Sequence, residues 1–550
     1  MSAIVTDQFR INNAGNFLGD VNNSLNSYYV FVGLSNPASQ YSTAAFGRNE
    51  TVEEWNAEFT RKKPIDNINY LNHARDTMIF GKKITSDNIR RVIRKVTWTK
   101  DRFYDMYRHD YHGPDNLSPN GNTPRLYDTD YYVINKDFNV YICIDNGSSG
   151  INTTGNASLN EPTLTGLEPF RASGAKDDGY LWKYLFTVAP TDIIKFDATE
   201  FIPLPNDWSS STDSNIANVR DNGNADINNN QIKKVYIEDG GSGYSGGSGD
   251  GKEVDIIGDG SGAKAIVEVD STSKISDVKV SVGGKGYTYG MVNLKDFGSA
   301  GSAKLIPIIP PSKGHGFDIY QELGADRVLV YARFDDSTKD FPIDTKFAQI
   351  GIVKNPTSIG STQIFDQAQY SSVSSLYLND FPQASDINVG NVIRQDVKSG
   401  SNIIGEVRGY VVSFDIISND SSNPIAVLKY YRDRSLYFNQ TTGDQKDYVG
   451  INTLANTDGK IYDFASSSAD AIRGVNDQGN SFTVKINTNF TGITTNPTGT
   501  KIVDLGCEFK NGLSQSEINN QSGDIIYLDN RQLITRDSRQ KEDIKVILEF

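Results

Sequence analysis

A glycine-rich segment that occurs twice near the middle of the chain limits the possible folds most. The sequence VYIEDGGSGYSGG, which starts at residue 235, recurs as VKVSVGGKGYTYG at residues 278–290. In the same way, GSGAKAIVEV at residues 260–269 is echoed by AGSAKLIPII at residues 300–309. Each copy contains a strand, a GGxGY turn, a second strand and a GSGA-type turn. We therefore predict a duplicated β module over residues 231–311, in which each half buries its apolar face against the other.

The first glycine turn also has the spacing of a dinucleotide-binding loop, Gly241-x-Gly243-x-x-Gly246. Such a loop must open a helix whose N-terminal amides hold the pyrophosphate, within a βαβ unit. Residues 247–262 read GSGDGKEVDIIGDGSG, which has no helical period, and each glycine would destabilise a helix there. We predict instead a turn that needs positive φ, with a tyrosine packed behind it.

Length and composition indicate a large β protein. A chain of 550 residues exceeds what one core usually supports, so we expect three or four structural units. With 49 Gly, 26 Phe and 28 Tyr, the composition is typical of short aromatic strands joined by polar turns. The predicted fold class is mainly β, with a multi-domain β-sandwich core, inserted all-β modules and few short helices. The net charge of -14 opposes binding to nucleic acid and to anionic membranes.

The two cysteines and the start of the chain bear on the cellular compartment. Cys143 and Cys507 lie far apart in apolar strand-like runs, so we expect two buried free thiols and no disulfide framework or metal site. The start MSAIVTDQFR has no basic region followed by an apolar one, and no stretch approaches the ~20 apolar residues of a membrane span. We therefore expect a soluble protein made without a secretory signal.

Local patterns predict a few individual elements. Helices are expected at TVEEWNAEF, where Thr51 and Glu54 have capping-box spacing, and at SDNIRRVI from residue 86. The segment YYVINKDFNVYICID predicts a β-hairpin that turns at residues 135–139. Residues 209–230 are almost entirely Ser, Asp, Asn and Gly, so we expect them to lack firm order and to mark a boundary.

Candidate metal ligands are few. The HDYH motif at residues 109–112 places two imidazoles beside an aspartate, but it has neither helical HExxH context nor a third ligand, which favours polar loop residues. A Ca²⁺ turn built from Asp250, Asp255 and Asp259 is the remaining alternative for the glycine-rich segment, although their spacing does not fit an ordered ligand loop.

Catalytic signals are equally weak. The YLDNR strip contains Asp529 and Arg531, which share one face of a strand and are expected to pair with each other or with neighbours. No nucleophile elbow or phosphate loop is present. A pair of carboxylates that cleaves a glycan remains an open alternative, because a chain with 68 Asp and Glu residues contains many pairs that could come close by chance. We predict no catalytic, cofactor-binding or metal-binding residue and no cofactor.

Several segments resemble one family of virion proteins. They are AIVTDQFR at the start, VYICID at residues 140–145, DGYLWKYLFTVAP at residues 178–190, FAQIGIVKNP at residues 347–356, and SGDIIYLDNRQLITRDSRQKEDIKVILEF at residues 522–550. In this order they resemble the gene-product-eight baseplate wedge protein of T-even-like contractile-tailed phages, the myoviruses. Familiar members of that family are shorter. The excess length here falls within residues 231–311 and 357–518, as two extra inserted modules.

The resemblance implies a β-rich core in which the two chain ends build one domain and the middle of the chain builds a second, inserted one. The alternating runs of residues 357–518 predict a further β-barrel or sandwich. The predicted domains are a core domain of residues 1–100 with 312–356 and 519–550, an inserted β domain of residues 101–230, the duplicated module of residues 231–311, and the barrel or sandwich insertion of residues 357–518.

The resemblance also implies a function. The protein is expected to be a homodimeric structural subunit and not an enzyme. It would join wedge proteins of the product-six, product-seven and product-ten types and move with the baseplate during sheath contraction. It would be assembled in the host cytoplasm and reside in the virion tail. The two inserted modules have no counterpart in the family, and their Gly-rich and Asn-rich turns lead us to expect that they lie at the periphery and contact fibre or peripheral baseplate proteins. No nucleic-acid or membrane partner is expected. The alternative is a virion tail adhesin that binds or degrades host-surface glycans; a secreted host adhesin is disfavoured by the missing signal.

Overall fold

The protein is mainly β. The computed structural model describes residues 4–33, 63–64, 66–111, 116–174, 176–224, 231–246, 251–298, 301–335, 346–388, 390–432, 462–465, 471–476, 478–497, 499, 502–535 and 540–550. Strands make up 44% and helices 12%, arranged as several sheets and a closed β-barrel. The predicted fold class, mainly β and multi-domain with few short helices, is confirmed.

The helices of the described residues are short. The α-helices are α1 (Asp7–Val21), α2 (Ile68–Thr77), α3 (Pro190–Phe196), α4 (Ser214–Asn224) and α5 (Ile319–Glu322). Single 3₁₀ turns occur at Ser86–Asn88, Leu126–Asp128, Lys295–Phe297 and Ala384–Asp386.

The strands follow one another closely along the chain. In chain order they are β1 (Tyr28–Gly33), β2 (Met78–Lys83), β3 (Ile89–Arg94), β4 (Arg102–Phe103), β5 (Tyr132–Ile134), β6 (Asn139–Asn146), β7 (Ala157–Ser158), β8 (Tyr180–Thr187), β9 (Phe201–Pro203), β10 (Val235–Asp239), β11 (Lys252–Gly258), β12 (Ser261–Val269), β13 (Ile275–Lys285), β14 (Gly290–Val292), β15 (Lys304–Pro307), β16 (Arg327–Phe334), β17 (Lys346–Lys354), β18 (Gln369–Ser371), β19 (Ser374–Asp380), β20 (Val392–Ser399), β21 (Asn402–Ser418), β22 (Ile425–Arg432), β23 (Ile472–Val475), β24 (Ser481–Ile486), β25 (Gly492–Thr495), β26 (Val503–Phe509), β27 (Leu513–Ser514), β28 (Asp524–Thr535) and β29 (Glu542–Glu549).

The chain forms two compact units. The first contains Met1–Leu18, Ile89–Val330 and Lys545–Phe550, and the second contains Gly19–Asn88 and Tyr331–Ile544. The four-part division expected from the sequence stays a prediction.

The aromatic core of the first unit is built around the sheet β5-β6-β8. The hairpin of β5 and β6 is confirmed: Asn135 N donates to Asn139 O at 3.0 Å, and Asn135 Oδ1 accepts from Asn139 N at 2.9 Å. The buried side chains around this sheet include Tyr180 and Trp182, whose rings stack with centroids 5.2 Å apart. Large rings bury much apolar area per residue, so a small sheet suffices to organise this core.

The duplicated segment forms a six-stranded module within the first unit. Strands β13, β12, β11 and β14 form one sheet and β10 pairs with β15, while β14 lies beside β15 and β10 beside β13. Exchanging β10 with β13, β11 with β14 and β12 with β15 leaves this order unchanged, so the two halves occupy equivalent places in the strand order. Pairing joins different halves at β10 with β15, β12 with β13, and β11 with β14.

The second unit contains an open sheet and a closed barrel. The open sheet has the order β18-β2-β1-β17-β28. The barrel runs β19-β24-β23-β20-β21-β22, and antiparallel pairing of β22 with β19 closes it. Its interior holds mostly aliphatic and aromatic side chains: Leu376, Leu378, Ile387, Ile393, Val407, Val411, Ala426, Leu428, Tyr430, Phe464, Ile472, Phe482 and Val484.

The helix expected at SDNIRRVI is wrong beyond its first turn. Only Ser86–Asn88 is helical, and the rest is strand β3, which pairs with β16 on one side and β9 on the other. Its apolar positions Ile89, Val92 and Ile93 have helical spacing, yet all three are buried in the strand. Short apolar runs are ambiguous, and two neighbouring strands decided the outcome here.

The expectation that residues 209–230 lack firm order is also wrong in part, because α4 forms there. Asn215 N donates to Asp213 Oδ1 at 2.9 Å at the start of the helix, and Val219 is buried in the aromatic core. Capping and one well-placed apolar side chain outweigh the polar composition. Residues 225–230, and the helix expected at TVEEWNAEF, lie outside the described residues.

Candidate interaction surface

Two tyrosines, Tyr244 and Tyr287, form hydrogen bonds between the halves of the module, and we refer to them as the tyrosine latches. Tyr287, from the second GGxGY turn, is 1% exposed, and its hydroxyl donates to Ile256 O at 3.0 Å and accepts from Ala263 N at 3.2 Å. Tyr244, from the first turn, accepts from Ala303 N at 3.0 Å. Ala263 and Ala303 belong to the two GSGA-type turns. Each of these tyrosine latches therefore reaches from one half to the other, and neither half is complete alone.

The glycines of the turns are required by both conformation and contact. Gly241 has φ 63° and Gly284 has φ 62°, in the left-handed region that glycine adopts readily. A Cβ on Gly241 would lie 2.6 Å from Ala303 N, and one on Gly284 would lie 2.5 Å from Ala263 N. The same amides are the donors to the latches, so the backbone must pass this close for the hydroxyls to reach them.

The glycine turn is therefore a structural one. Gly243 and Gly246 also have positive φ, 80° and 86°, and Tyr244 packs behind the turn as predicted. The next regular element of the described chain is the strand β11, whereas a dinucleotide loop would lead into a helix. The predicted positive-φ turn is confirmed.

The module is joined to the rest of the first unit by Arg108 and by His109, the first residue of the HDYH motif. His109 Nδ1 accepts from Ile309 N at 3.2 Å, just after β15. The Arg108 guanidinium lies 3.8 Å from the centroid of the Tyr236 ring on β10 and donates to Asp110 at 2.9 and 2.6 Å. The first strand of the module, β10, and the residues just after its last strand, β15, thus both contact this part of the unit. These two contacts restrict the motion of the module relative to it.

The other candidate ligands are dispersed. His112 and Asp250 lie outside the described residues, and Asp255 lies on β11. Asp259 accepts from Thr288 N at 2.9 Å, and its hydrogen bond from the Thr288 hydroxyl lowers the pKa of the carboxyl. In the described part of the chain, no group of three or more His, Cys, Asp and Glu residues is placed to hold a metal ion.

The remaining sequence candidates are structural. Arg531 Nε and Asp529 Oδ2 form an ion pair at 2.6 Å, which confirms the expected pairing in the YLDNR strip. Cys143 and Cys507 are both free thiols. Cys143 is buried and burial raises its pKa well above the ordinary value, whereas Cys507 is only partly buried. The buried thiol expected from the sequence is confirmed for Cys143 alone.

An exposed apolar patch lies on the β11–β14 pair of the module. Ile257 and Met291 are direct cross-strand partners, exposed by 51% and 63%. Tyr289, two residues before Met291, is 64% exposed. We refer to these three residues as the outer patch. Large apolar side chains on adjacent strands are the usual centre of a protein interface, where Tyr and Met are enriched.

Paired charges lie elsewhere on the sheet that carries the outer patch. Lys264 Nζ is 3.4 Å from Glu253 Oε2, and Lys279 Nζ is 2.9 Å from Glu268 Oε1. Exposed ion pairs of this kind contribute little to stability. These exposed charges are thus paired with each other on β11, β12 and β13, to one side of the apolar patch.

Two cavities lined by described residues are small. One of about 170 Å³ touches barrel residues Gln395 and Lys485, and one of about 110 Å³ touches Asp76 and Ser372. Both fall below the roughly 300–1,000 Å³ of ordinary ligand pockets. The outer patch is therefore a better candidate for a functional site than either of these two cavities.

Comparison with known proteins adds no identification. No protein-family model matches the sequence, and no curated protein matches it. Among the described helices, none has the length and apolar character needed to cross a membrane.

Proposed function

We propose that this protein is a structural subunit of a phage tail baseplate wedge and not an enzyme. As a homodimeric bracket in the virion, it would join wedge proteins of the product-six, product-seven and product-ten types after assembly in the host cytoplasm. During sheath contraction it would move largely as a rigid body while contacts around it rearrange.

The observation that carries the proposal is the pairing of the segments that resemble the wedge family. In the first unit, β6 from the VYICID segment pairs with β8 from DGYLWKYLFTVAP. In the second unit, β17 from FAQIGIVKNP pairs with β28 from the C-terminal segment. Segments far apart in the chain thus form continuous sheets, which supports a common core with that family.

The two extra segments have cores of their own, which supports their assignment as additions. The module buries its own cluster, including Val235, Ile256 and Tyr287, and the barrel buries another. We propose that the module binds a neighbouring baseplate or fibre protein through the outer patch. An insertion that folds around its own core can acquire such a contact without disturbing the rest of the subunit.

The proposal is tested by co-expression with the neighbouring tail genes, followed by size-exclusion chromatography with light scattering. The expected result is a homodimer alone and a heteromeric complex with wedge subunits. A monomer that joins no complex would contradict the proposal, and so would binding or cleavage of a host polysaccharide by the purified protein, which is the behaviour of an adhesin.

Deleting each extra segment tests whether it is peripheral to the dimer. The chain leaves and rejoins each segment at hydrogen-bonded neighbours: Ile308 N donates to Lys234 O at 2.8 Å, and Glu517 N donates to Ser371 O at 3.0 Å. Short linkers in place of residues 235–307 or 373–515 should therefore close without strain. Both deletion variants are expected to remain dimeric, and a monomeric product would place the dimer contact in the deleted segment.

A further inference from the structure

A buried lysine in the first unit lies against the side-chain amide of an asparagine. Lys183, on β8, is 4% exposed, and its Nζ donates to Asn222 Oδ1 at 3.0 Å and to Leu167 O at 2.7 Å. Both acceptors are neutral oxygens. Burial lowers the pKa of Lys183, which favours the neutral amine, the nucleophilic form of the side chain.

A carboxylate lies on the other side of the same amide. Glu168 Oε1 accepts from Asn222 Nδ2 at 3.1 Å, so the amide is held between the lysine and the glutamate. The amine therefore approaches the carbonyl end of the amide, and the carboxylate touches the nitrogen that would leave. A nucleophile, an amide and a proton-transferring group in contact make up the parts of an acyl-transfer site.

The elements that hold these three side chains keep them together. Helix α4 packs against β8, with Val219 in the aromatic core one turn before Asn222. Glu168 follows the carbonyl of Leu167 that Lys183 also binds. A reaction between fixed side chains avoids the entropy cost of bringing them together.

We propose that Lys183 and Asn222 form an intramolecular isopeptide bond, with Glu168 as the catalytic acid and base. The neutral Lys183 amine adds to the Asn222 Cγ, which places Nζ and Nδ2 on the same carbon atom. Glu168, which is hydrogen-bonded to Nδ2, then takes the proton that Nζ releases and gives it to Nδ2. The bond between Cγ and Nδ2 breaks, ammonia leaves, and an amide joins Nζ to Cγ. No oxidant or cofactor is required, and ammonia can escape beside the exposed Glu168.

The bond would give α4 a covalent link to the central sheet of the first unit. The segment around α4 is rich in Ser, Asp and Asn, and its few apolar contacts hold it weakly compared with the aromatic core. A covalent tie would keep it folded under mechanical load. This inference goes beyond the proposed function and does not depend on it.

Intact mass measurement of the full-length protein under denaturing conditions tests the proposal. The wild-type protein is expected to be lighter than its sequence mass by one ammonia, and proteolysis should release a branched peptide that contains both Lys183 and Asn222. The Lys183→Arg variant cannot form the bond, but any other processing of the chain should be the same as in the wild type. It should therefore have its full sequence mass. In freshly purified Glu168→Gln protein, most molecules should still have the full sequence mass, because the group that transfers the proton is missing.

A neighbouring lysine provides the matched control. Burial lowers the pKa of Lys233 as well, so Lys233→Arg is expected to lose one ammonia as the wild-type protein does. A wild-type protein at full mass would overturn the proposal, as would a branched peptide through another lysine. Because the mass is read from denatured protein, these results do not depend on how stably a variant folds.

Discussion

The duplicated module and the barrel enclose their cores in different ways. The module has strands of three to eleven residues, and its two halves are joined by hydrogen bonds of the two tyrosine latches at the glycine-rich segments. The barrel uses strands of up to 17 residues and closes through the backbone pairing of β22 with β19. Stability in the module thus depends on a few residues, whereas in the barrel it is spread over many.

The largest effect is expected from removing one tyrosine latch. Tyr287→Ala should destabilise the module by about 3–5 kcal/mol, as large-to-small aromatic substitutions in cores do. Because Tyr287 binds the opposite half, hydrogen exchange should accelerate in both halves, within residues 231–246 as well as 251–298, while the barrel is unchanged. Loss of protection in only one half would show that the halves are independent.

A smaller effect is expected from alanine at the glycine turns. Gly284→Ala combines positive φ with a Cβ 2.5 Å from Ala263 N, and should cost roughly 2–4 kcal/mol. Gly262 in the module and Gly400 in the barrel also have positive φ, but nothing lies within 4 Å of a Cβ there. Alanine at either should cost only about 1–2 kcal/mol.

The three glycine variants can be compared by local hydrogen exchange. If Gly284→Ala lowers the stability no more than Gly262→Ala does, the close approach of the backbone at residue 284 is unimportant. The glycine would then be required only for its positive φ. Gly400→Ala reports the same conformational cost in the barrel, so it separates the effect of positive φ from the effect of the latch.

The smallest effect on stability is expected at the outer patch. Ile257→Lys with Met291→Glu should change the free energy of unfolding by about 0.5 kcal/mol or less, because both side chains are exposed and the new cross-strand charges are opposite in sign. The same variant should lose association with the neighbouring baseplate protein in co-expression. Val282→Asp is the control, since Val282 is 48% exposed on β13 and lies outside the patch. If both variants lose association to the same extent, the patch is not part of the interface.

Several features of the fold were predictable because they depend on local chemistry. Glycine spacing predicted the positive-φ turns, and turn residues between two aromatic runs predicted the β5–β6 hairpin. The patch had only a weak signal: Ile256 and Ile257 are adjacent apolar residues, and on a strand one of them must face outwards. Which of the two would be exposed depends on strand pairing, which the sequence pattern leaves open.

The two wrong predictions of secondary structure also arise because strand pairing and packing cannot be read from the sequence pattern. The residues of β3 satisfy a helical pattern, and only their pairing with β16 and β9 makes them a strand. The residues of α4 have the composition of a loop, but a cap and the contacts of Ile216 and Val219 with the aromatic core make them a helix. In both cases long-range contacts outweigh local preference.

The sequence by itself determined that this is a mainly β protein with a duplicated glycine-rich segment, because φ preferences and the alternation of apolar residues act over a few positions. The tertiary structure alone decided that the latches cross between halves, that six strands close into a barrel, and that Lys183 meets Asn222. These contacts join residues that are far apart in the chain, and their energy depends on how complete elements pack against one another.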